Sequence, residues 1–129
     1  MDKDSNDTLL VLDDLYYLSS YQYEVYRKEM ASTYDSSKIE HYSWMMQGCV
    51  CVIDECKNNI GYVITFNDIC EMLESLTARF EEYSCSLQIY GFDDINPYVY
   101  ILDAIDKIYD DFILKHEVLK GGYIDYNEL

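Results

Sequence analysis

The chain is short of positive charge. Nine Lys and Arg stand against 25 Asp and Glu, a formal net charge of −16 over 129 residues. Such a surface repels nucleic acid and anionic lipid, so direct binding to either is excluded as an expectation. Proline (one) and glycine (five) are also scarce, and there is no low-complexity linker or internal repeat. A single compact domain over residues 1–129 is therefore expected, with residues 1–8 and 121–129 peripheral to it. No run approaches the ~20 apolar residues needed to cross a bilayer. The opening Met1-Asp2-Lys3-Asp4 lacks the basic-then-apolar order of a secretory signal. Five cysteines, an odd number without regular spacing, do not make a disulfide framework, so reduced thiols in the cytoplasm are expected.

Catalytic signatures are missing as well. There are two histidines, and neither His41 nor His116 belongs to a nucleophile motif. There is no GxGxxG, no phosphate-binding P-loop and no nucleophile elbow. Cys49-x-Cys51-x4-Cys56 with His41 upstream has four N/S donors but no Cys-x2-Cys knuckle, and buried thiols are the better reading. Gly122 to Glu128 echoes half of an EF-hand loop. Two of the three preceding ligand places fall on Leu119 and Gly121, which have no side-chain oxygen. No enzyme, metal or cofactor is expected.

What the chain has is apolar periodicity. Half of it is hydrophobic, enough to fold despite the charge. Leu9 to about Met30 reads as a helix entered at Asp7 or Thr8, with Leu12, Leu15, Tyr16, Leu18 and Val25 inward and a break expected near Ser19-Ser20. A shorter helix is expected from Lys38 to Gln47. Cys49–Ile53 and Tyr62–Phe66 are short, apolar and β-branched, and turn residues lie between them, which predicts a β-hairpin. A continuous helix from Trp44 to Lys57 competes with that reading. Ile69, Leu73, Leu76, Phe80 and Tyr83 recur at helical spacing behind a Thr65-x-x-Asp68 capping box. Ser86–Tyr90 alternates as a third strand. A last helix opens at Asn96-Pro97, with Tyr98, Ile101, Leu102, Ile105, Ile108, Tyr109 and Phe112 as its stripe. The expected fold is α+β, with amphipathic helices on a small, mostly antiparallel sheet. The alternative is an all-α helical bundle.

The charge is patterned. Asp103, Asp106 and Asp110 follow i, i+3, i+7 spacing, with Asp111 beside them and Asp93 and Asp94 at the helix entry. Carboxylates on such a face are about 4.5–6 Å apart along the axis, and each DNA strand carries a phosphate every ~3.4 Å. Glu71, Glu74, Glu81 and Glu82 form a second acidic patch on the preceding helix. Fifteen tyrosines supply rigid contact area of the kind enriched at interfaces, and seven of them crowd residues 16–42.

In composition the chain resembles the small acidic nucleic-acid mimics that phages and mobile elements direct at restriction or CRISPR nucleases. It is similar in style to immunity proteins against nuclease toxins. The likeness rests on no motif, so it transfers no residue roles. It implies a non-enzymatic anti-CRISPR or anti-restriction inhibitor whose partner is a basic nucleic-acid-binding protein. The partner-binding residues would be Asp93, Asp94, Asp103, Asp106, Asp110, Asp111, Glu71, Glu74, Glu81 and Glu82. An immunity protein, or a viral helical module that binds a host partner, is the alternative.

Overall fold

The expected sheet is absent among the described residues. A computed structural model describes residues 3–60, 65–89 and 96–121, and every regular element among them is an α-helix. The elements are α1 (Lys3–Ala31), α2 (Ser36–Asn58), α3 (Phe66–Ile89) and α4 (Pro97–Gly121). The α+β reading is therefore overturned in favour of an all-α bundle. Cys49–Ile53, expected as a strand, lies inside α2, and the helix runs without interruption through residues 44–57. Ser86–Ile89 forms the last turn of α3, and Phe66 begins that helix. Tyr62–Ile64, Tyr90 and the Gly122–Glu128 stretch lie outside the described residues.

The physical reason for the correction is visible in α2. A run such as Cys-Val-Cys-Val-Ile is apolar at every position, so it carries no period of its own and fits a strand or a buried helix equally. Packing settles the matter. Cys49, Val52 and Cys56, at i, i+3 and i+7, are fully buried, whereas Asp54 and Lys57 face solvent. β-Branching is a weak preference, and tertiary burial of a helical stripe overrides it.

Capping chemistry delimits the helices. Asp35 accepts from the backbone N–H of Ser37 at 2.9 Å, which starts α2 at Ser36. The expected capping box is closed at α3. Thr65 Oγ1 accepts from the Asp68 N–H at 3.1 Å, and an Asp68 carboxylate oxygen accepts from the Thr65 N–H at 3.0 Å. These bonds hold the Asp68 carboxyl below its ordinary pKa. Asn96 caps α4 by accepting from the Tyr98 N–H at 3.2 Å, one residue before Pro97. Its amide also donates to the buried Ser84 Oγ at 2.8 Å, which pins the start of α4 to α3. Helix α1 departs from expectation at two points. It begins at Lys3 rather than at Asp7 or Thr8, and it does not break at Ser19-Ser20. The buried Ser19 hydroxyl donates to the Leu15 carbonyl at 2.7 Å, so the helix absorbs the polar group.

One core joins all four helices. It contains Leu12 and Leu15 of α1, Cys49, Val52 and Cys56 of α2, Ile69, Leu73 and Leu76 of α3, and Ile101, Ala104, Ile105, Ile108 and Phe112 of α4. Helix α4 touches each of the others. Helix α2 packs on α1 and α4, and α3 packs chiefly on α4. The α2–α4 crossing is very close at Gly48, which is buried against the Ile101 carbonyl and the Ala104 methyl. Aromatic contacts close the ends: Phe66 of α3 stacks on His116 of α4 with centroids 3.7 Å apart, and His41 of α2 stacks on Tyr100 of α4 at 4.1 Å. Lys115 pairs with Asp14 at 3.1 Å and lies over the Tyr17 ring, tying α4 to α1. Among the described residues no helix is long and apolar enough to cross a membrane.

Candidate functional site

The packing of α3 on α4 creates a groove. Glu74, Thr77, Ala78 and Glu81 follow i, i+3, i+4, i+7 spacing on the flank of α3 beside its buried stripe. Asp106, Tyr109 and Asp110 line it from α4, and the shallow, open groove has a volume of about 290 Å³. Periodicity places them there. Ile69, Leu73 and Leu76 commit one side of α3 to the core, and Ile101, Ile105, Ile108 and Phe112 do the same for α4. The carboxylates next to each stripe then meet across the helix pair.

Four of the seven lining residues are acidic and none is basic. The Tyr109 hydroxyl donates to a Glu74 carboxylate oxygen at 3.1 Å, bridging the two helices. Burial foremost, with Cys70 and Glu74 adding to it, pushes the Tyr109 phenol above its ordinary range, so it remains a donor. The Asp106 carboxyl is pushed up as well, first by burial and then by the negative charge of Asp110, Asp103 and Glu81. Lys107 does not relieve this repulsion, because its ammonium reaches along α4 to Asp111 at 3.2 Å. The other ion pairs among the described residues, Arg27–Glu24 and Lys115–Asp14, involve no groove residue. The groove is thus a concentration of negative charge with no cation among its lining residues, which also include Thr77, Ala78 and Tyr109.

The ten residues singled out from the sequence are distributed unevenly. Glu74, Glu81, Asp106 and Asp110 come together, although the spacing had assigned them to two separate patches. Asp103 is exposed one turn before Asp106 and close enough to repel its charge. Glu71 and Glu82 are exposed on α3 but do not line the groove. Asp111 is half-buried and bonded to Lys107, away from the groove. Asp93 and Asp94 lie outside the described residues. Tyr109 was missed as a site residue because it falls on the apolar stripe. Its position three residues after Asp106 and beside Asp110 was the available signal.

The thiols and tyrosines divide by exposure. Cys49 and Cys56 are buried in the core, where burial pushes each thiol up to about 12. Cys51 is half-buried, and all five cysteines are unpaired. Among the described residues no group of three or more His, Cys, Asp or Glu is arranged to hold a metal ion. Tyr26 packs on the core, and burial raises its hydroxyl to about 12. Tyr16, expected inward, is exposed together with Tyr17 and Tyr21, and Tyr34 is wholly exposed between α1 and α2. Comparison with known protein families, curated proteins and solved structures finds nothing that matches this chain.

Proposed function

We propose that the chain is a non-enzymatic helical binding module that takes a basic protein partner into the α3–α4 groove, as an immunity protein or a viral host-interaction module would. One observation carries this reading: Glu74, Glu81, Asp106 and Asp110 converge on a single concavity with no cation among its lining residues. Carboxylates in a concavity receive a protruding Lys or Arg side chain, and the guanidinium fork of Arg matches them with two hydrogen bonds. The Tyr109 ring and Ala78 would pack against the aliphatic stem of that side chain. The uninterrupted α2 supports a helical module over a helix-on-sheet inhibitor.

Occlusion of the basic channel of a nuclease or CRISPR effector is the second reading. It is favoured by the row of Asp103, Asp106 and Asp110 beside Glu74 and Glu81. It stands second because Glu74, Glu81, Asp106 and Asp110 meet across two helices in one cluster, which suits a single basic side chain at least as well as an extended run of phosphate contacts.

The test uses the tagged chain and a variant carrying Glu74→Gln, Asp106→Asn and Asp110→Asn, with helical content checked by circular dichroism. A protein retained from natural-host lysate by the native chain, lost with the triple variant and released by moderate salt, supports groove docking. Retention unchanged in a folded triple variant refutes it. Displacement of the captured protein by duplex DNA would move the assignment to channel occlusion.

A further inference from the structure

We draw no further inference here: the strongest candidate outside the groove, the exposed tyrosine face of α1 formed by Tyr17 and Tyr21, is an unpartnered surface patch, and nothing in the structure shows what covers it.

Discussion

Replacing Gly48 by alanine tests the bundle at its closest crossing. A Cβ at this position would lie 2.6 Å from the Ile101 carbonyl oxygen and 2.9 Å from the Ala104 Cβ. Ordinary contact begins near 3.4 Å, so the carbonyl contact falls short by 3.4 − 2.6, or 0.8 Å. The obstructing atom belongs to the backbone of α4, which cannot rotate aside as a flexible side chain would. Relief therefore requires α2 and α4 to separate. Cys49, Val52, Ala104 and Ile105 are fully buried around the contact, and separation would loosen their packing. Overpacking of this kind costs about 1–3 kcal/mol. Alanine recovers about 1 kcal/mol over glycine as a helix former. The expected net loss is up to about 2 kcal/mol, a fall in Tm of as much as roughly 8 °C for a chain of this size. Urea denaturation and thermal melts followed by circular dichroism measure both quantities. Adding Ala104→Gly removes the contact at 2.9 Å and leaves the one at 2.6 Å, so the double variant should not recover. A Gly48→Ala protein more stable than the native chain would refute the crossing, because only helix propensity would then be acting. Full recovery in the double variant would relocate the clash from the carbonyl to the Ala104 methyl.

Three further outcomes are expected. Asp106→Asn should stabilise the fold at neutral pH. The folded-state pKa of Asp106 is raised above its ordinary value, so the folded chain holds this proton more tightly, and native stability falls as pH rises through and beyond the ordinary carboxylate range. The advantage of the variant should shrink on acidification, and an equal advantage at pH 3 and pH 7 in urea titrations would contradict the charge argument. Asn96→Ala should cost about 2 kcal/mol, since it removes the α4 cap and the amide partner of the buried Ser84 hydroxyl; an unchanged urea midpoint would show that neither bond matters. In the native protein, Cys85 should react with a thiol reagent at once, while Cys49 and Cys56 stay protected until unfolding, as cysteine titration with and without denaturant would record.

How much of this was legible depends on whether a segment carries its own contrast. In α3 and α4 apolar and charged residues alternate at helical spacing, and most of both stripes was readable: Ile69, Leu73 and Leu76, then Ile101, Ile105, Ile108 and Phe112, are buried, and Phe80, Tyr98, Leu102 and Tyr109 are half-buried, whereas Tyr83, expected on the α3 stripe, is exposed. The Thr65–Asp68 box and the Asn96-Pro97 start were readable because capping is local chemistry within four residues. The segment 49–53 had no polar residue to mark a face, and its β-branched composition pointed to a strand. Ser86–Ile89 misled through a chance alternation at the end of a helix whose preceding turns had already fixed its conformation.

The site divides along the same line. Composition and spacing established that the chain is acidic and that many of its carboxylates recur at helical spacing beside apolar stripes. Those properties belong to single helices and to net charge, so no fold is needed to read them. Which flanks face each other was decided by packing alone. Burial of the two stripes sets α3 against α4 and turns Glu74 and Glu81 toward Asp106 and Asp110, with Tyr109 between them. The residues of the two helices are some thirty positions apart in sequence. No local pattern encodes that meeting, because it follows from how four helices share one core.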